Sequence, residues 1–148
     1  LPFSFLPDVW NNFGMLANYT HVESEIDYVD AAGAVVLQGA SLVGQSETSY
    51  NLTFFYEDER FSARVSGAYR SDYPTTLPGR NLNDTEDTAE TLNVDASFNW
   101  TFNDHLSFTL EGLNLTDEVD DQLLNPDDRT SFYHHFGRQY FVGFRYTY

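Results

Sequence analysis

The sequence predicts an all-β fold, an antiparallel sheet of six strands that forms a segment of a transmembrane β-barrel, and three observations predict it. Apolar residues alternate with polar or small ones over long runs, the period of a strand with one greasy and one wet face. The links between the runs alternate between tight and long, so that tight turns gather at one end of the sheet and large loops at the other. Aromatic residues, 13 Phe, 10 Tyr and 2 Trp, cluster near both ends of the runs. A ring with a polar tip is satisfied at such a level when the strand crosses a membrane.

The six strands are expected near 10–22, 46–57, 61–72, 89–102, 106–117 and 136–148. The first is carried by Phe13, Met15, Ala17 and Tyr19, the second by Tyr50, Leu52, Phe54 and Tyr56, and the third by Phe61, Ala63, Val65, Gly67 and Tyr69. The fourth is the clearest: Leu92, Val94, Ala96, Phe98, Trp100 and Phe102 alternate with Asn93, Asp95, Ser97, Asn99 and Thr101. Leu106, Phe108, Leu110 and Gly112 carry the fifth, and Tyr140, Val142, Phe144, Tyr146 and Tyr148 the sixth. Tight turns fall at Glu57–Arg60 and Asn103–His105. The long links cover 22–46, 71–90 and 117–136.

Composition excludes several classes. At 148 residues the chain is one unit, 1–148. No apolar run reaches the length of a membrane-spanning helix, and residues 1 to 10 lack the basic start of a signal peptide. The net charge is -16, with no Lys, so a nucleic-acid backbone is an unlikely partner. With no Cys there is no disulfide framework, thiolate zinc site or cysteine nucleophile. The acidic residues gather in the long links: Glu23, Glu25, Asp27 and Asp30; Asp84, Glu86, Asp87 and Glu90; Asp117, Glu118, Asp120, Asp121, Asp127 and Asp128.

Alternation alone fits a soluble sandwich, with the apolar face inward, as well as a membrane barrel, with the apolar face toward lipid. The barrel is favoured by a polar face that mixes Arg64, Arg70 and Arg145 with Asp95 and Glu111, by the aromatic ends and by the link lengths. Six strands fall short of the ~8 of the smallest single-chain outer-membrane barrels, so the segment is expected to belong to a longer barrel or to an assembly of chains.

Several short stretches occur in a telling order. These are Phe5-Leu6-Pro7 leading to Asn18-Tyr19-Thr20; Leu42-Val43-Gly44-Gln45-Ser46 with Tyr50-Asn51-Leu52 and Phe55-Tyr56-Glu57; and Phe61-Ser62-Ala63-Arg64 with Tyr69-Arg70-Ser71-Asp72-Tyr73. Gly112-Leu113-Asn114-Leu115-Thr116-Asp117-Glu118 and the terminal run from Gly137 to Tyr148 complete them. Together they resemble the C-terminal end of a TonB-dependent outer-membrane receptor, over essentially the whole chain. The resemblance implies the last six strands of a barrel of roughly 22, without the plug domain and energy-coupling box. It also implies import of a bulky nutrient, an iron chelate, cobalamin or oligosaccharide, across the bacterial outer membrane. The implied partners are the rest of the barrel and plug, the lipid bilayer, TonB through the missing plug region, and the barrel assembly machinery. That machinery would read Tyr140, Val142, Phe144, Tyr146 and Tyr148 as an assembly signal.

No phosphate loop, nucleophile elbow or catalytic dyad is visible, so no enzyme and no cofactor are expected. His134 and His135 are adjacent and would point to opposite faces of a strand, which does not suit one metal ion; His21 and His105 make no spacing motif. The acidic run 117–128 lacks calcium-loop spacing and reads as a solvated loop. Tyr28, Tyr73, Arg80, Arg129 and Tyr133 lie in the long links and are the candidate ligand contacts. Two other functions remain open on sequence: a porin-like structural wall, and a soluble carbohydrate-binding β-sandwich.

Overall fold

A computed structural model describes residues 3, 8–77, 79, 85–124 and 129–148. They form an all-β structure. Six long strands, β1 (Phe13–His21), β4 (Thr48–Glu57), β5 (Phe61–Arg70), β8 (Thr91–Asn103), β9 (Leu106–Leu113) and β12 (Gln139–Tyr146), make one antiparallel sheet in the order β1-β4-β5-β8-β9-β12. These are the six strands expected from the alternation, each paired with its neighbour in sequence. The first begins later than expected, because Asp8–Asn12 is a short 3-10 turn.

The long links differ from expectation, since they are not simple loops. The first carries the hairpin β2 (Ile26–Val29) and β3 (Val35–Ala40). The others carry β6 (Tyr73–Thr76), β7 (Glu86–Thr88), β10 (Asp120–Leu124) and β11 (Arg129–His134), which pair in the order β11-β10-β7-β6. That order repeats β12-β9-β8-β5, so the second sheet extends the four strands from which its members emerge.

Three turns share one device, a side-chain oxygen that accepts the backbone N–H groups the reversal leaves free. Asp58 Oδ1 accepts from the N–H of Arg60 and of Phe61, both at 2.8 Å. Asn103 Oδ1 accepts from His105 and Leu106 at 2.9 and 3.0 Å. In the β2–β3 hairpin Asp30 Oδ1 accepts from Ala32 and Ala34 at 2.8 and 2.9 Å.

The register sorts most side chains by face, with one shift between Thr101 and Asn103 where β8 meets β9. Rows such as Met15–Phe54–Val65–Ala96–Gly112–Tyr140 and Phe61–Trp100–Phe108–Phe144 run across one side. An aromatic chain crosses all six strands on that side: Phe13–Tyr56 at 4.9 Å between ring centroids, Tyr56–Phe61 at 5.5, Phe61–Phe98 at 4.8, Phe98–Phe108 at 6.3 and Phe108–Phe144 at 5.2 Å. At the loop end Tyr19, Tyr50 and Tyr69 stand in one row, with Tyr50 stacked on Tyr69 at 4.7 Å.

None of this apolar surface is covered. Among the described residues no hydrophobic side chain is buried, and Val65 in the middle of the sheet is 50% exposed. A compact monomer of 17.0 kDa would expose about 7,700 Å², whereas this chain exposes 10507 Å². The sheet therefore has two faces and no core. Its edge strands among the described residues are β1 and β12, β1 paired with β4 and β12 with β9, and at the start of β1 the Phe13 carbonyl accepts from Phe3 N–H at 2.8 Å. Among the described residues no helix is long and apolar enough to cross a membrane, a criterion that does not bear on strands.

Candidate functional site

The opposite face is polar and partly self-bonded. Arg64, Ser97 and Glu111 lie in one row, with Asp95 on the same side, and they border a hollow of about 240 Å³. Ser62, Asn99 and Thr109 form a cross-strand chain: Thr109 Oγ1 donates to Asn99 Oδ1 at 2.8 Å, and Asn99 Nδ2 donates to Ser62 Oγ at 3.3 Å. Leu16, Phe55, Leu113 and Phe141 depart from the pattern. Phe55 is accounted for by its neighbour: its ring lies over Gly14 of edge strand β1, where a Cβ would fall 2.7 and 2.8 Å from two ring carbons. The aromatic covers a strand glycine that has no side chain of its own to pack.

At the foot of the strand extension, β9 is tied to both neighbours by the turn that follows it. Asn114 and Asp117 have positive φ, 52° and 60°, a conformation that Asn and Asp adopt more readily than other side chains. Toward β8, Asn114 N–H donates to Asp95 Oδ1 at 2.9 Å, Leu115 N–H to the Val94 carbonyl at 2.7 Å and Thr116 Oγ1 to the Leu92 carbonyl at 2.7 Å. Toward β12, Asp117 Oδ1 meets His135 Nε2 at 3.0 Å, and Arg138 Nε donates to the Leu115 carbonyl at 3.0 Å. The His135 contact holds the Asp117 carboxyl below its ordinary value of 3.8, with Arg138 assisting and desolvation opposing.

A depressed carboxyl contributes stability that is present above its unfolded pKa and lost as pH falls through the folded one. The β9–β12 tie should therefore weaken below about pH 3.8. Limited proteolysis within 114–138 is expected to accelerate there, whereas Asp117→Asn should cleave faster at neutral pH and respond less to acid over that window. An Asp117→Asn protein with the wild-type acid response would remove Asp117 as the cause.

Two clefts open where the links leave the sheet. The larger, about 540 Å³, is lined among the described residues by Glu47, Tyr69, Asp72, Tyr73 and Asp87 with others, a predominantly acidic set of charges. The smaller, about 310 Å³, is bordered by Arg70, Tyr73, Asn114, Glu118 and Phe136.

Of the candidate ligand contacts, Tyr73 lines both clefts, with the Arg70 guanidinium 3.7 Å over its ring. Tyr28 is occupied within its own link, donating to the Ser41 carbonyl and accepting from Val43 N–H, both at 3.0 Å. Arg129 and Tyr133 stand exposed on β11, the outer strand of the extension, and border neither cleft. Arg80 lies outside the described residues, as do Asp84, Asp127, Asp128 and the Phe5-Leu6-Pro7 stretch.

Tyr140, Val142, Phe144 and Tyr146 are exposed on one face of β12, opposite Gly112, Leu110, Phe108 and Leu106, and Tyr148 packs its ring 6.0 Å from Tyr146. The adjacent histidines diverge: His134 packs between Phe132 and Phe136, while His135 turns to Asp117. The spacing of residues does not reveal one further grouping, because strand pairing creates it: His21, Glu23 and Glu47 meet at the loop end of β1 and β4. Searches of known protein families, of curated proteins and of solved structures find no match to this chain.

Proposed function

We propose that the chain is the C-terminal six-stranded section of the barrel of a TonB-dependent receptor in a bacterial outer membrane, where it takes part in import of a bulky nutrient. The observation that carries this reading is the uncovered apolar face, continuous across six strands and, among the described residues, bounded by two edge strands, β1 and β12, with no strand beyond them. Lipid is the solvent such a face requires, and further barrel strands are the partners such edges require. A sandwich would instead bury the inner faces of two sheets against each other, and no apolar side chain among the described residues is buried.

The roles follow from placement. The apolar rows meet the bilayer, the polar rows face the lumen, and the long links with their acidic clefts face the medium and contribute to ligand capture. The rest of the barrel and the plug complete the pore, TonB acts through the plug region, and β12 offers its free edge and aromatic face to the assembly machinery. The chemistry is binding and passage rather than catalysis.

This chain has no cysteine, so single cysteines introduced into it report orientation once any cysteine elsewhere in the receptor is replaced. In intact cells a membrane-impermeant maleimide is expected to label Glu25→Cys and Arg129→Cys and to leave Asp58→Cys and Asp104→Cys unlabelled until the cells are opened. Uptake of radiolabelled iron chelate, cobalamin and oligosaccharide then tests the import itself. Accumulation of one of them that a protonophore abolishes supports the receptor; energy-independent leakage of many solutes would replace it with a porin-like wall. Recovery of the protein in the aqueous fraction would discard both.

A further inference from the structure

We propose that His21, Glu23 and Glu47 form an open binding site for a divalent metal of the zinc class at the loop end of the β1–β4 pair. His21 is the last residue of β1 and sits opposite Thr48, the first of β4. One more backbone bond, Val22 N–H to the Glu47 carbonyl at 2.9 Å, continues the ladder beyond them. The pairing brings Glu47 next to Thr48, the partner of His21, and Glu23 follows two residues after His21; the side chains then make the approach at the end of the ladder.

His21 Nε2 lies 3.4 Å from Glu23 Oε1 and 3.9 Å from Glu47 Oε1, and one ligand atom from each of the three residues lies within 4.8 Å of the others. Zinc bonds to nitrogen and oxygen of about 2.0–2.1 Å set neighbouring ligands of a tetrahedron about 3.4 Å apart. The first separation already has that value, and rotation of the exposed Glu47 side chain closes the second.

The other ring nitrogen supplies the orientation. His21 Nδ1 is 3.2 Å from Thr48 Oγ1. With the ring proton on Nδ1, donated to this hydroxyl, the Nε2 lone pair is free to ligate beside two carboxylate oxygens; without a metal, a proton on Nε2 takes that place and is shared with Glu23. A ligating imidazole held by a hydrogen bond at its second nitrogen is the usual outer-shell pattern of such sites. An imidazole donor favours zinc-like ions over calcium and magnesium, which take oxygen ligands. Beside the triad a hollow of about 170 Å³, lined by Glu23, Glu25, Glu47, Ser24 and Gln45 among others, gives access and room for the fourth ligand. Three protein ligands with one position open make a site that captures and exchanges its ion. This holds whether or not the chain belongs to a receptor.

The test uses the full-length protein carrying this chain, stripped of metal in detergent and titrated calorimetrically with zinc chloride alone. Wild type is expected to bind one zinc equivalent that His21→Ala and Glu47→Gln lose or bind at least tenfold more weakly, while Glu57→Gln at the opposite end of β4 binds as wild type. Cobalt(II) should give visible d–d absorption in wild type and not in His21→Ala, and calcium in tenfold excess should not displace it. Heat-modifiable gel migration verifies that every variant is folded, and Glu23→Gln provides an independent reading if one is not. Equal zinc stoichiometry and affinity in wild type, His21→Ala and Glu47→Gln, or displacement by calcium, would overturn the proposal.

Discussion

Val65→Arg is expected to lower the folded fraction in lipid vesicles by a large factor, whereas Ser66→Arg, one residue along, leaves it nearly intact. Val65 lies between Phe54 and Ala96 on the apolar side, and Ser66 between Thr53 and Asp95 on the polar one. An Arg facing the bilayer midplane costs roughly 2–4 kcal/mol, which is about 30- to 900-fold in the folded-to-unfolded ratio. At position 66 the guanidinium instead gains a carboxylate neighbour. Urea titration of refolding into vesicles, read by gel shift, gives both numbers, and equal losses would reverse or abolish the assignment of faces.

The isolated 148-residue chain is expected not to persist in detergent as a discrete monomer. Among the described residues β12 has no strand on its outward side, and on β1 the Phe13 carbonyl accepts from Phe3 N–H while no further strand follows it; each outward N–H or C=O group left without a partner costs several kcal/mol away from water. Over the length of β12 that amounts to tens of kcal/mol, as an order of magnitude. Light scattering coupled to size exclusion should find oligomers or no folded species, while the same segment within its complete barrel is stable. A monodisperse, heat-modifiable monomer would contradict the pairing requirement.

The large sheet could be read from the sequence because period-two alternation is a direct image of the pleat, and because Asp58 and Asn103 are turn residues at the points of reversal. The small strands could not. Glu86-Asp87-Thr88 and Asp120-Asp121-Gln122 are rich in residues depleted from strands, and they are ordered by continuing the ladders below them rather than by their own preference. The 3-10 turn before Phe13 does carry a signal, since Trp10 falls out of phase with Phe13, Met15, Ala17 and Tyr19 and Asn11-Asn12 are turn formers. His21 and Glu47 lie far apart in sequence, and only the β1–β4 register joins them. The Asn114 tie was legible in part: the Asn-Leu-Thr-Asp stretch stood out, while its partners Leu92, Val94 and His135 are fixed by tertiary pairing.

The neighbour-to-neighbour strand order bears on how such a sheet forms in time. No strand has to wait for a distant part of the chain, because every partner is the preceding or following long strand. Closing the 22–47 link costs only about 1.7 kcal/mol more than closing the 58–61 turn, since loop entropy grows with the logarithm of length. The sheet can therefore be laid down one hairpin after another, each finished strand acting as the template for the next, and growth from either edge traps no unpaired segment inside. A chain that folds in this order needs connections that do not cross, and the neighbour-to-neighbour order of the described strands meets that need.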